Sequence, residues 1–376
     1  MKTTMLAARL HTHGQPFSLD TVPVPAPRPN DVLVKVHACN VVPNLANVIT
    51  HYPEWFPFLP LPPLPATFGL DVAGVIAEVG SQVMGIAPGD RVYVNPMRSC
   101  GACKACRLND PFACDGMTFQ GYFGFGPSSV NVFKHYPDGG LAEYMIAPAT
   151  SLVKLPASIS FEAGARFGYL GTAYAALRKA NAGPETSVII TGASGTLGAG
   201  AVLLALAIGV PKIFAIARNA DVLERIRQWD PRRISVLSYG TSPMEKWVRD
   251  QTDGAGADVL IESLPTGAPA AVTMEAIKSL RRGGIGVCIG GLAETLPIEP
   301  AWFMCQSLQW KGSAWFSVAD GEAMAAMAHA GTLDLSKYEH KRYSLHDVNR
   351  LMASLSERES GLANYVVMPE LGFSGS

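Results

Sequence analysis

The chain has 376 residues, 48% of them apolar and only 16% charged, which is enough for two domains with full cores and too apolar for a disordered chain. Its formal net charge is −1 and no basic stripe is visible, which argues against nucleic acid and anionic membrane as partners. Met1–Leu10 has no long apolar core and no cleavage site, so no signal peptide is expected; the longest apolar run, Ala199–Val210, is too short to span a bilayer, and a cytoplasmic protein with reduced thiols is the simplest reading.

Residues 1–40 read as β-rich, with a strand at Val32–Val36 (VLVKV) after the stiff segment Pro23–Pro29. Residues 51–65 (HYPEWFPFLPLPPLP) show neither helical nor strand period, and their prolines cannot donate ladder hydrogen bonds. An irregular loop is expected there, either packed rigidly on the body or forming a wall of the substrate pocket. Asp71–Val79 and Asp90–Val94 alternate as half-buried strands.

Next come Cys100, Cys103, Cys106 and Cys114, spaced C-x2-C-x2-C-x7-C. Four thiolates on one short loop can close a tetrahedron around Zn²⁺, and a closed tetrahedron has no open position for a substrate. One structural zinc is therefore expected; the plainer alternative is a set of reduced, unliganded thiols. Gly116–Tyr136, rich in glycine and aromatics, reads as loop. From about residue 170, short apolar strands alternate with helices: Ser187–Thr191, Lys212–Ala217, Asp258–Ile261 and Gly286–Ile289. That βαβ rhythm predicts an α/β fold with a doubly wound parallel sheet.

The strand Ser187–Thr191 runs into Gly192-Ala193-Ser194-Gly195-Thr196-Leu197-Gly198 and then a helical run, Ala199–Ile208. Glycines let a backbone approach a pyrophosphate, and the helix N-terminus offers unpaired N–H groups. Ala193 holds the first glycine place of G-x-G-x-x-G, with Gly192 one place earlier. The next strand ends at Ala217-Arg218-Asn219, without the carboxylate that would bind a ribose 2′-hydroxyl. A guanidinium can instead pair with a 2′-phosphate and stack on adenine, so NADP(H) is the expected cofactor. The plainer alternative makes Arg218 an ordinary solvated residue at a helix start.

Val34–Cys39, Gly69–Gly80, Gly89–Val92, the cysteine loop, Gly139–Tyr144, Gly171–Leu177, the glycine turn and Leu280–Gly290 together resemble the medium-chain dehydrogenase/reductase superfamily, the zinc alcohol dehydrogenase and quinone oxidoreductase group. The likeness covers nearly the whole chain. It implies a GroES-like β-rich catalytic domain over residues 1–169 and 315–376, a Rossmann domain over residues 170–314, and an active site in the cleft between them. It also implies a homodimer or homotetramer, and it places Thr172, Ile289, Gly290 and Trp315 along the cofactor beside the glycine turn and Arg218–Asn219.

In the alcohol dehydrogenase branch three side chains hold a catalytic zinc. The corresponding slots here are Val42, Leu70 and Gly168, none of which offers a side-chain lone pair. Asn44 takes the relay hydroxyl slot, Leu45 the aspartate slot after it, and Asn47 a histidine slot further on. Cys39, offset from the ligand slot, reads as a buried structural thiol. The G-x-D-x-A-G pattern around Asp71 is similar instead to the zinc-free quinone and enone reductases.

Without that metal, hydride transfer from NADPH to an activated acceptor survives, because hydrogen-bond donors can stabilise the conjugated oxyanion that forms. Asn44, Tyr169 and Tyr52 are the candidate donors, and Asp71 reads as a buried orienter. The plainer roles are a helix cap for Asn44, packing for Tyr169 and a solvent-facing position for Tyr52, with water supplying the proton. A hydrophobic small-molecule substrate is expected, walled by Tyr52, Trp55, Phe56, Phe58 and Phe119–Phe125, with Trp302, Phe303 and Trp315 adding to it. A carbonyl or imine reductase, and an NADPH-binding protein with little turnover, are the alternatives.

Overall fold

In the computed structural model, which describes residues 2–355 and 360–372, the second half of the chain builds a six-stranded sheet in which every pairing is parallel. Its order is Ile234–Ser238, Lys212–Ala217, Ser187–Thr191, Ala257–Glu262, Leu280–Cys288, Gln309–Gly312. The central strands are buried along almost their whole length, as helix-covered parallel strands must be. The two edge strands, Ile234–Ser238 and Gln309–Gly312, are partly exposed and mixed in composition, so a search for apolar runs does not mark them. The chain reverses direction across the sheet between Ser187–Thr191 and Ala257–Glu262. Such a switch point opens a crevice at the carboxyl ends of the strands.

The first half centres on Asp31–Asn40. It pairs antiparallel with Asp71–Val79 on one side and, on the other, with Tyr144–Pro148 near its start and Ala363–Val367 near its end. The last described strand thus returns to the sheet built by the first residues, bringing Glu339–Tyr343 with it as a parallel edge. The helix Phe167–Lys179 packs against the helix Thr196–Ala207, and Val318–His329 packs on Phe167–Lys179 and on Leu152–Lys154. Among the described residues no helix is long and apolar enough to cross a membrane.

Two segments expected as loops contain regular structure. In 51–65, Tyr52–Trp55 is a single helical turn directly after the helix Leu45–Thr50. Pro53 sits in its first turn, where a missing N–H costs nothing. In 116–136, Thr118–Phe119 pairs with Met97–Arg98, and Ser129–His135 is a helix. Ser129 Oγ accepts from the Phe125 and Gly126 N–H groups and donates to Met117 O, tying this turn together by contacts that have no periodic signature.

Candidate active site

The four cysteine sulfurs lie within 4.8 Å of one another, with 3.6 Å between Cys103 and Cys106 and between Cys100 and Cys114. Four Zn–S bonds of about 2.3 Å place sulfurs roughly 3.8 Å apart, so the cluster fits one zinc with every position filled by protein. Backbone N–H groups of Cys103 and Gly116 point at Cys100 Sγ and Cys114 Sγ at 3.3 Å. The N–H groups of Ala102 and Cys103 draw the Cys100 thiol down to about 6, whereas burial pushes the Cys114 thiol up to about 12, so the fit to zinc rests on the spacing of the sulfurs. A zinc held here has no coordination site for a substrate, and its role is to clasp the loop.

The three positions that the resemblance sets against the catalytic-zinc ligands, Val42, Leu70 and Gly168, carry no metal-binding side chain. Val42 and Leu70 are buried apolar side chains, 3% and 6% exposed. At Gly168 a Cβ would lie 1.9 Å from Asp71 Oδ1, so the Asp71 carboxyl occupies that space itself. Asp71 is fully buried; Tyr93 donates its hydroxyl to Oδ1 at 2.9 Å, and Asn40 Nδ2 faces Oδ2 at 3.5 Å. Burial pushes this carboxyl up to about 7, against the pull of Tyr93, Asn40 and the Arg166 charge. The residue that aims Leu70 and Asp71 is Gly69, at φ +118° with a Cβ only 2.6 Å from Leu141 N if it had one. Cys39 is fully buried against Gly69 and Gly140, and burial raises its thiol far above the range of a reactive cysteine.

A directed hydrogen-bond chain lies beside these slots. Asn47 Nδ2 donates to Asn44 Oδ1 at 3.0 Å, and Asn44 Nδ2 donates to the Tyr52 hydroxyl oxygen at 2.7 Å. Tyr52 therefore receives on its oxygen and keeps its own proton to pass onward. Asn44 sits at the N-cap of Leu45–Thr50, yet its side chain makes no cap bond, because the amide is used in this chain. Tyr52 is half-buried rather than solvent-facing, and burial raises its hydroxyl. Tyr122, 5% exposed, joins the group: burial raises its hydroxyl well above the ordinary value, Tyr169 and Tyr52 add to the rise, and Asn44 works against it. Tyr52 and Tyr122 are thus held as neutral hydroxyl donors. Tyr169 is half-buried, its ring 5.3 Å from the Arg166 guanidinium.

Aromatic rings extend from this group. Tyr52 touches Phe56 at 4.9 Å and Phe123 at 5.4 Å, and Phe119 touches Trp315 at 4.4 Å. Phe58 and Trp55 are 64% and 45% exposed at the outer end. Trp302 and Phe303 do not belong here. They pack with Leu280 and Leu308, at the start of the strand Leu280–Cys288, whereas the switch-point crevice opens at the strand's other end. Sequence proximity to Trp315 suggested the pocket for them, and the strand Gln309–Gly312 carries the chain the full height of the sheet in between.

The dinucleotide turn is built for close approach. Gly192 has φ +69°, a region that side chains disfavour, and a Cβ on Gly198 would lie 2.2 Å from Gly192 O. Helix Thr196–Ala207 begins at Thr196 rather than Ala199, because Gly195 is its N-cap; the N–H groups of its first turn, including Leu197, therefore face the crevice side of the turn. Ser194 O accepts from Gly361 N at 2.7 Å. Ile289 N and Gly290 N both donate to Glu262 O, which fixes the backbone across the crevice. Thr172 Oγ1 is spent on Gly168 O within its own helix, and Trp315 Nε1 on Asn95 Oδ1 at 3.0 Å. Asn219 is the N-cap of Ala220–Arg227, its Oδ1 accepting from Val222 N. Arg218 is exposed at the end of its strand, and its guanidinium makes no hydrogen bond or ion pair among the described residues. The turn thus fits a pyrophosphate, and Arg218 is available to one further anionic group.

Two residues of the site escape a reading of the sequence. Tyr122 lies in the stretch Phe119–Phe125, where aromatics alternate with glycine and nothing signals which ring carries its hydroxyl inward. Arg166 precedes Gly168 in an otherwise apolar segment, and a lone charge there is the one signal that marks it.

Residues 28–157 match the model of the alcohol dehydrogenase GroES-like domain, and residues 196–330 match that of the zinc-binding dehydrogenase. An NAD-dependent alcohol dehydrogenase of Sulfurisphaera tokodaii is 30% identical over 264 residues, covering 69% of this chain and 71% of the relative. An L-idonate 5-dehydrogenase of Vitis vinifera is 33% identical over 242 residues, 63% of this chain and 62% of that one. The solved structure of AibC, 25% identical, superposes with a TM-score of 0.83 over 99% of this chain and 97% of its own. The chain belongs to the medium-chain dehydrogenase/reductase superfamily, with a GroES-like domain joined to a Rossmann-type domain. It is an oxidoreductase of that family, built for a nicotinamide cofactor, and its cysteine cluster fits the family's structural zinc.

Proposed function

We propose that this chain is an NADPH-dependent reductase that adds hydride to an activated C=C bond, in a hydrophobic enone, enal or quinone, without a catalytic metal. The observation behind this reading is the state of the three ligand slots. Val42 and Leu70 are apolar, and the Asp71 carboxyl fills the space above Gly168. Oxidation of a simple alcohol needs a group that lowers the alcohol pKa, and these residues offer no Lewis acid a place. A conjugated acceptor needs only donors for the oxygen on which charge collects.

When bound, the cofactor supplies the hydride that forms the new C–H bond. The residues of the chain do the rest. Tyr52 holds its proton toward the substrate oxygen, with Asn44 and Asn47 behind it fixing the orientation. Tyr122 and Tyr169 border the same group and are the further donors for the enolate or its final protonation. Asp71 is too deeply buried to meet substrate; it orders Tyr93 and Asn40 beneath the site. The aromatic surface from Phe119 to Phe58 suits a planar apolar substrate. The guanidinium of Arg218, unpaired among the described residues, supports NADPH over NADH.

Reduction of a carbonyl or imine is the second reading, favoured by relatives named for alcohol and polyol substrates. The same donors serve it. The test is product analysis after incubation with NADPH and a panel of hydrophobic enones, quinones, ketones and imines. Saturated C=C products support the first reading, and C=O or C=N reduction alone supports the second. No NADPH oxidation with any of them would favour a cofactor-binding protein without turnover.

A further inference from the structure

Arg166 is the N-cap residue of Phe167–Lys179 and is only 1% exposed. A buried guanidinium ordinarily sits against a carboxylate, because its charge loses the solvation of water. This one makes no ion pair among the described residues. Its Nη2 donates to two carbonyl oxygens, Gly361 O at 2.8 Å and Thr196 O at 3.3 Å, and its Nε has no partner. The rings of Tyr338, at 4.6 Å, and Tyr169, at 5.3 Å, flank it and take part of a counter-ion's role.

Both carbonyls belong to the cofactor turn or to the segment laid on it. Thr196 is the first residue of the helix that follows Gly195. Gly361 N donates to Ser194 O at 2.7 Å, and a Cβ on Gly361 would lie 2.1 Å from the carbonyl carbon of Gly195. The guanidinium is thus built into the back of the turn, behind the helix N-terminus whose N–H groups meet a dinucleotide's phosphates.

We propose that Arg166 is a cofactor-binding charge: a buried cation with no ion pair among the described residues, whose field at the glycine turn is completed by the dinucleotide's pyrophosphate without direct contact. The physical argument is one of dielectric. A charge shielded from water acts over a longer distance than a surface lysine; the Asp71 carboxyl feels this charge, but its own burial pushes it up to about 7 and favours its neutral form, which limits how much of the field it cancels. The helix dipole adds to it in the same direction. The hydrogen bonds to Thr196 O and Gly361 O also hold the turn in shape, so the two contributions have to be separated. The proposal depends on the dinucleotide turn alone, and neither on the choice between NADPH and NADH nor on the reaction.

Two ligands and two variants separate them. ADP-ribose carries the pyrophosphate, and adenosine fills the same adenine position without it. R166Q keeps a donor for the carbonyls and loses the charge. R166M removes the charge and the donor together and leaves Thr196 O and Gly361 O without this bond, so the thermal unfolding of both variants is recorded beside their binding. Binding is measured by calorimetry for ADP-ribose and by competition for adenosine, on the zinc-loaded full chain. The expected result for both variants is an ADP-ribose affinity lower by roughly tenfold with adenosine changed by less than about twofold. Unchanged ADP-ribose affinity overturns the proposal. A parallel fall for both ligands also overturns it, because the residue then only shapes the turn.

Discussion

The Asp71 carboxyl stands where a side chain at position 168 would have to go, 1.9 Å from the Cβ that Gly168 lacks. The two residues are therefore one packing unit. Replacing Gly168 by Ala forces a methyl group into a fully buried carboxyl, and the strain should cost about 2–4 kcal/mol of stability. The cost should shrink when the same change is made in an Asp71→Ala background, where the space is open. Urea unfolding of both single variants and the double variant measures the coupling. Strict additivity would mean that the two residues do not share that space.

The same carboxyl gives the protein a pH dependence of definite sign. Its folded value, about 7, lies above the ordinary 3.8, so between these values the folded chain holds a proton that the unfolded chain has released. The share of stability that Asp71 contributes then falls as pH rises from about 4 to about 7 and is fully lost above that window, while carboxylates held low, such as Glu162 and Asp258, contribute with the opposite sign at acid pH. Glu262, also raised by burial, contributes with the same sign. Asp71→Asn should flatten part of this slope and leave Glu262's share. Thermal unfolding of both proteins across the window checks it; parallel slopes would contradict the assignment to Asp71.

Metal content distinguishes the clasp from a working zinc. With one closed four-cysteine site and no ligands at Val42, Leu70 or Gly168, purified protein should carry about one zinc per chain. Cys103→Ser should lower zinc content and thermal stability together, because metal binding at such a site is part of folding. Two zinc ions per chain would show that the slots had been misplaced.

What the sequence makes visible here is whatever depends on residue type at a short, fixed spacing. The cysteine loop, the strand–glycine–helix turn at Gly192–Gly198 and the three missing ligands are of this kind. So is the α/β rhythm after residue 170, apart from the two half-exposed edge strands. What it leaves hidden depends on long-range placement. The carboxyl of Asp71 meets Gly168 only after a strand and a helix have packed together. Tyr122 and Tyr52 become neighbours across seventy residues of chain, and nothing in the glycine–aromatic stretch fixes which ring points inward. Trp302 and Phe303 mislead for the same reason: they are near Trp315 in sequence and at the opposite end of the sheet in space. Arg166 is a single letter whose meaning comes from Gly361, nearly two hundred residues later.

Arg218 offers a direct comparison of the two cofactors. Its guanidinium is exposed and unpaired among the described residues, beside the strand end where a ribose-binding carboxylate is missing. Arg218→Ala should weaken NADPH by roughly tenfold and leave NADH nearly unchanged. Fluorescence titration of both cofactors with both proteins is sufficient. NADH binding more tightly than NADPH in the unaltered protein would remove the basis for the NADPH reading.

The chain from Asn47 through Asn44 to Tyr52 should behave as one catalytic unit. On the proposed reading, Tyr52→Phe removes the proton offered to the substrate, and Asn44→Ala removes the bond, 2.7 Å long, that orients the hydroxyl. Each change should lower kcat by about 10–100-fold, the range for losing one donor to a developing oxyanion. Cofactor affinity should not change, since neither side chain belongs to the glycine turn. The double variant should be scarcely worse than either single one, because an unoriented hydroxyl and an absent one fail in the same way. Tyr122→Phe tests the other route for the proton: its loss should add to that of Tyr52 if the two hydroxyls serve the enolate separately. Single-turnover measurements with NADPH and a reducible enone separate these cases. If Tyr52→Phe and Asn44→Ala both turn over at the unaltered rate, the hydroxyl that meets the substrate lies elsewhere, and Tyr122 and Tyr169 become the remaining donors of the group.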